Sequence, residues 1–155
     1  MEPPLARRVP IMELVRYYLR LGLLGFGGPV ALVGSAKSLI AAEYFNRFAS
    51  SRGLDASATS AGTEPDDAIP PRVVSGLAAD RIDVAERRPR RPTAADVAGS
   101  TVVVTFGCDL GELTAGARRL ERWDDLPAVS EDFAKARDAI VARVTALLDS
   151  AVPPR

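Results

Sequence analysis

The chain has no histidine and a single cysteine, Cys108, in 155 residues. Without histidine there is no Ser-His-Asp or Cys-His catalysis, no His-bearing zinc site and no imidazole proton shuttle. One cysteine allows neither an internal disulfide nor a Cys-x-x-Cys metal site, so no metal and no cofactor is expected. A reducing, cytoplasmic setting is the default for such a chain. Lysine is almost missing: Lys37 and Lys135 are the only two, and arginine carries nearly all the positive charge. An excess of either sign is missing too. Twenty Lys+Arg balance twenty Asp+Glu, which leaves no global attraction to nucleic acid. Long hydrophobic runs are also lacking. The apolar run at residues 21–33 has 13 residues, against roughly 20 for a membrane-spanning helix. Gly27, Gly28 and Pro29 interrupt even that. Together with Glu13, the interruption also argues against a secretory signal.

What is present fits one globular domain: 47% apolar and 26% charged residues in a chain long enough to bury a core. The composition divides it into an apolar, glycine-ending part, residues 1–33, and an Ala-rich, charged part, residues 34–155. Residues 9–24 have helical periodicity, with Glu13, Arg16, Tyr17 and Arg20 forming one polar stripe. That pattern predicts an interfacial or self-packing helix. Residues 19–31, read Leu-Arg-Leu-Gly-Leu-Leu-Gly-Phe-Gly-Gly-Pro-Val-Ala, resemble the start of chromate transporters, which carry a Leu-Gly-x-x-x-Phe-Gly-Gly-Pro signature. The resemblance covers about 25 residues and implies contact with a membrane surface through residues 9–33. It does not imply transport, because no spanning helices follow.

The second part alternates strand-like and helix-like segments. Residues 34–38, Gly-Ser-Ala-Lys-Ser, lead into a helix carrying Ile40, Tyr44, Phe45 and Phe48. Such a loop-to-helix junction aims N–H groups and a helix dipole at one spot, which suits an anion, and Lys37 adds a positive charge there. Residues 54–60 read as a weak strand, and residues 72–79 as a short helix with Val73, Val74 and Leu77 inward. Arg87, Arg88, Arg90 and Arg91 lie between prolines and read as a solvated loop, with a phosphate-facing role as the alternative. Thr93 caps a short helix through Val97. Residues 101–106, Thr-Val-Val-Val-Thr-Phe, are the clearest strand, β-branched and apolar on both faces as a buried parallel strand should be. A last short strand is expected at 120–123. Ser130, with Glu131 and Asp132 in the first turn, is expected to cap a final helix that buries Phe133, Ile140, Val144, Leu147 and Leu148. The alternation predicts an α/β fold: three α/β/α layers around a short parallel sheet. Its ligand site should lie at the C-terminal strand ends, where residues 34–38, 107–109 and 124–127 converge.

Four features, taken in order, resemble the low-molecular-weight protein-tyrosine-phosphatase and arsenate-reductase superfamily over about 120 residues. They are Ser38 heading the first helix, Ser60-Ala61-Gly62-Thr63, the strand at 102–105, and Trp123 before an acidic, proline-containing loop. The resemblance implies a fold of that type with its first strand replaced by transporter-like sequence, for which residues 30–33 could substitute. It also implies a Cys-x5-Arg-Ser loop whose thiolate attacks phosphorus or arsenic, loop amides and arginine that hold the oxyanion, and an aspartate that protonates the leaving group. A thiolate serves because a helix dipole and a cation lower its pKa. Arginine serves because its planar fork grips two oxygens.

Carried over by spacing, the nucleophile position is Ala31 and the arginine position is Lys37. Alanine has no lone pair to attack with. Asp125, with Asp124 as second choice, matches the general-acid region, and Gly34, Ser35, Ala36, Lys37 and Ser38 form the anion-binding loop. Cys108, at the end of the second predicted buried strand, is a substitute nucleophile or, as the bland reading, a small buried hydrophobe. Three functions stay open: a catalytically impaired family member that binds phosphate-like or arsenate-like oxyanions, an active phosphatase or arsenate reductase using Cys108, and a non-enzymatic, membrane-peripheral fusion remnant. Oligomeric state is not legible.

Overall fold

The computed structural model describes residues 29–34 and 36–151. The expected helix at 9–24, the apolar run up to residue 28, and Ser35 lie outside the described residues. Among those described, no helix is long and apolar enough to cross a membrane.

Four strands form one wholly parallel sheet: β1 Pro29–Val33, β2 Ser57–Ala61, β3 Val102–Thr105 and β4 Leu120–Arg122, in the order β2-β1-β3-β4. The connections carry helices α1 Ala36–Ser51, α2 Pro71–Ala79, α3 Ala94–Gly99 and a 3-10 helix Gly111–Gly116, with α4 Phe133–Ala151 closing the fold. The three α/β/α layers read from the sequence are therefore present. The 3-10 helix is an element that the sequence reading did not anticipate.

Strand periodicity assigns the layers. Val30, Leu32, Val102 and Val104 face one side and pack with Ile40, Phe45, Leu77, Ile140 and Leu148 of α1, α2 and α4. Ala31, Val33 and Val103 face the other side and pack with Val97 of α3 and Leu110. Each of Val30, Leu32, Val33, Val103 and Val104 is at most 1% exposed, so each contributes roughly 1.5–3 kcal/mol of apolar burial. Pro29 begins β1, where a missing donor does no harm. Thus residues 30–33 do serve as the first strand, and residues counted with the N-terminal part of the sequence supply a central strand of the sheet.

Local chemistry sets the element ends. Gly53, at φ +65°, takes the left-handed turn after α1, and Leu54 N–H donates to Ala49 O at 2.9 Å. Residues 52–54 are thereby committed to the helix end, so β2 starts at Ser57 rather than at 54. Asn46 of α1 closes the outer edge of β2: its Nδ2 donates to Ala58 O at 3.0 Å and its Oδ1 accepts from Ala58 N–H at 2.7 Å. In α2, Val73 and Leu77 are buried and Val74 is only partly so. The cap of α4 is corrected from Ser130 to Asp132. Residues 128–132 form a tight turn in which Glu131 and Asp132 N–H both donate to Ala128 O, and Asp132 Oδ1 accepts from Lys135 N–H at 3.0 Å. Tyr44 donates to Asp80, which also pairs with Arg137 at 3.3 Å, joining α1, the end of α2 and α4. Burial first, then the bond to Asp80, pushes the Tyr44 phenol well above its ordinary range.

Thr93 caps α3 through a reciprocal box: Asp96 N–H donates to Thr93 Oγ1 at 3.1 Å, and Thr93 N–H to Asp96 Oδ2 at 2.7 Å. Arg90 grips the same carboxylate through two nitrogens, at 2.7 and 3.2 Å. The Arg90 bond, supported by Thr93, pulls Asp96 down from 3.8 to about 2 despite partial burial. A depressed folded-state pKa contributes stability that is present above the unfolded value and lost as pH falls through the folded one. The urea midpoint of wild type should therefore exceed that of Asp96→Asn at pH 5, and the gap should close as pH falls from about 4 to about 2.

Candidate functional site

Strand order reverses direction between β1 and β3, so the switch point lies at the C-terminal ends of these two strands. There β1 ends at Val33 and α1 begins at Ala36, leaving only Gly34 and Ser35 between them. The chain can turn this tightly because two glycines let the backbone approach closely. Gly34 N–H donates to Ala61 O at 2.8 Å, and a Cβ on Gly34 would stand 2.8 Å from Phe106 Cβ. A Cβ on Gly62 would stand 2.7 Å from Gly34 O. Ser38, in the first turn of α1, places Oγ 3.3 Å from Ala61 O and is buried.

A crevice of about 480 Å³ opens beside the head of α1, lined by Ala36, Lys37, Asp66, Arg72, Val129 and Ser130 among others. Lys37 Nζ donates to Leu126 O at 3.1 Å. Arg72, in the first turn of α2, donates to Ser130 O. No acid occupies the first turn of α1 or α2. A cation there opposes the helix dipole by about 0.3–1 kcal/mol, so an anion in this crevice would relieve both turns at once. The sequence reading missed Arg72. Its signal was Pro70-Pro71, a helix-start pair that puts residue 72 in a first turn beside the expected site.

The other expected residues are not gathered in this crevice. Ala31 is the middle residue of β1, paired with Thr59 on one side and Val103 on the other, and 2% exposed. Its side chain faces Val97, Val103 and Leu110, in the layer opposite α1. Cys108 follows β3, packs on that same layer and donates to Val33 O at 3.1 Å. Burial, then the Asp124 and Asp109 carboxylates, raise its pKa. An activated thiolate needs the opposite environment. Asp124 accepts from Gly107 N–H at 3.0 Å, where Gly107 adopts φ +74°. Asp125 is held by Arg143 at 2.6 and 2.7 Å, and that guanidinium lies 6.0 Å from the Trp123 ring centroid. Thr105 Oγ1 is buried and has no hydrogen-bond partner among the described residues. Arg87, Arg88 and Arg90 border a different cavity of about 460 Å³ along β2, which Gly34, Ala36 and Ser38 of the expected anion-binding loop also line, and there Arg87 pairs with Glu43 at 3.0 Å. Among the described residues, no group of three or more Cys, Asp or Glu is placed to hold a metal ion.

A four-stranded parallel sheet with helices on both faces, crossing over between β1 and β3, defines the class as a doubly wound α/β domain. The chain belongs to one family of that class: it matches the low molecular weight phosphotyrosine protein phosphatase family over residues 29–122. The match begins at the first residue of β1, so residues 9–28 of the transporter-like segment lie outside it. A putative arsenate reductase of Halobacterium salinarum is 28% identical over 131 residues, covering 81% of this chain and 92% of that protein. Among solved structures, the low molecular weight protein tyrosine phosphatase of T. tengcongensis superposes with a TM-score of 0.69 at 18% identity, over 79% of this chain and 98% of that one. An arsenate reductase in its phosphate-binding state superposes with a TM-score of 0.64 at 18% identity, over 80% and 98%. At these identities the two structures bear on fold alone.

Two outcomes follow from this geometry. In a Cys108→Ser background, Ala31→Cys should gain no aryl-phosphate hydrolysis, and its thiol should stay unreactive toward an aqueous disulfide reagent until the protein unfolds. Gly62→Ala forces a Cβ against a backbone carbonyl, so urea denaturation should show a loss of about 1–3 kcal/mol.

Proposed function

We propose that this domain is a non-catalytic oxyanion-binding member of its family. It holds a phosphate or arsenate group in the crevice at the head of α1 and does not turn it over. The observation that carries this reading is the two-residue link from β1 to α1. The family's chemistry needs a thiol on a loop that wraps the oxyanion. Here the position matched to that thiol is an alanine inside a buried strand, and too little chain remains to wrap anything. Losing a covalent nucleophile costs roughly 10⁶ in turnover in a well-studied hydrolase. Binding elements persist: the first turn of α1, with Ala36 and Lys37 lining the crevice. The arsenate reductase description of a sequence relative supports the choice of ligand.

The reading that Cys108 drives turnover is less favoured. Its thiol pKa is raised, it lies in the opposite layer from Lys37, and Asp124 and Asp125 are engaged by Gly107 and Arg143. Purified full-length protein should hydrolyse an aryl phosphate no faster than a buffer control. It should bind inorganic phosphate, followed through the fluorescence of Trp123, and Lys37→Gln should weaken that binding about tenfold, as expected for loss of a charge-assisted hydrogen bond. Hydrolysis that disappears in Cys108→Ser would overturn this reading in favour of an active enzyme.

A further inference from the structure

The crevice and the loop between β4 and α4 share two cations. Lys37 and Arg72 come from the first turns of different helices, and both side chains line the same cavity. Each also donates to a carbonyl of that loop, Lys37 to Leu126 O and Arg72 to Ser130 O. Neither forms an ion pair among the described residues. A carbonyl supplies only a partial charge, so both cations remain uncompensated next to helix ends that are themselves positive. Asp66 is the single carboxylate among the lining residues. The loop is fixed independently on either side, by Asp125 on Arg143 and by the Asp132 cap of α4. Between those anchors, the polar side-chain contacts of residues 126–130 are the two cationic tethers.

We propose that Arg72 is the second cationic ligand of this crevice, and that a tetrahedral dianion seated between Lys37 and Arg72 draws both donors away from Leu126 and Ser130 and loosens the loop at 126–130 around the buried Val129. The proposal rests on the oxyanion reading above and extends it to a second residue and a loop movement. The exchange is favourable because a charge-assisted bond to an anion is roughly twice as strong as one to a neutral acceptor. Lysine contributes a point charge and arginine a planar fork, a combination suited to a phosphoryl or arsenate group with several oxygens. Two cations less one carboxylate leave one net positive charge, and the two helix N-termini, worth about half a charge each, raise it toward what a dianion needs.

The test uses full-length protein with inorganic phosphate, sulfate and nitrate as probes. Affinity is read by calorimetry, and loop opening by amide hydrogen exchange at residues 126–130. Phosphate and sulfate should bind and nitrate should not. Arg72→Gln should weaken phosphate about tenfold, and Asp66→Asn should strengthen it. Saturating phosphate should speed exchange at 126–130 in wild type, and Arg72→Gln should speed it with no ligand present. Arg72 is exposed, so this variant is expected to fold. If Arg72→Gln binds phosphate like wild type while Lys37→Gln does not, the second-ligand assignment falls and the oxyanion reading stands. Loop exchange that is unchanged by phosphate and by Arg72→Gln overturns the tether. Absence of phosphate binding in wild type overturns both the proposal and the reading beneath it.

Discussion

The closeness of three strand ends governs this domain. Gly34 and Gly62 allow β1, β2 and β3 to terminate within backbone contact of one another, with Gly34 N–H donating to Ala61 O and Phe106 N–H to Val33 O. Once β1 runs as far as Val33 and α1 begins at Ala36, no chain is left for an encircling loop. Everything else at this end of the sheet adapts to that geometry. The head of α1 opens sideways toward α2 and the β4–α4 loop, and the crevice lies between helices and not inside a loop.

Charges that could have served chemistry are held in structural roles. Asp124 stabilises the left-handed turn at Gly107, and Asp125 holds Arg143 near the Trp123 ring. Arg90 serves the α3 cap through Asp96, and Arg87 serves Glu43. The neutral overall balance is thus resolved into local pairs. Lys37, Arg47 and Arg72 instead donate to backbone carbonyls, and of these Lys37 and Arg72 share one crevice.

Much of the architecture was legible because its causes are local. The β-branched run at 102–105 could be read as a buried strand, and the helical face with Ile140, Val144, Leu147 and Leu148 as core. Thr93 announced its cap, although its partnership with Asp96 came only from the coordinates. What escaped depends on contacts between distant segments. Counting back from Lys37 put the missing nucleophile at Ala31, and such counting assumes a loop between strand and helix. Only the pairing of β1 with β2 and β3 shows residue 31 to be mid-strand. Ser130 looked like a cap because it precedes two acids, but the turn at Ala128 hands that role to Asp132. For Arg72 the sequence offers only the helix start at Pro70-Pro71; its place at the crevice comes from α2 lying beside α1.

The clasp of Asn46 on Ala58 has a consequence for the lifetime of the folded state. One side-chain amide stands in for a whole neighbouring strand, giving a hydrogen to Ala58 O and taking one from Ala58 N–H. Hydrolysis of that amide exchanges a nitrogen for an oxygen. The acceptor survives, but the donor is lost, and a negative charge then faces a carbonyl. The outer edge of β2 would become a template for pairing with another chain. Slow chemical ageing at this one atom would thus be a route from a clasped sheet edge to an associating one.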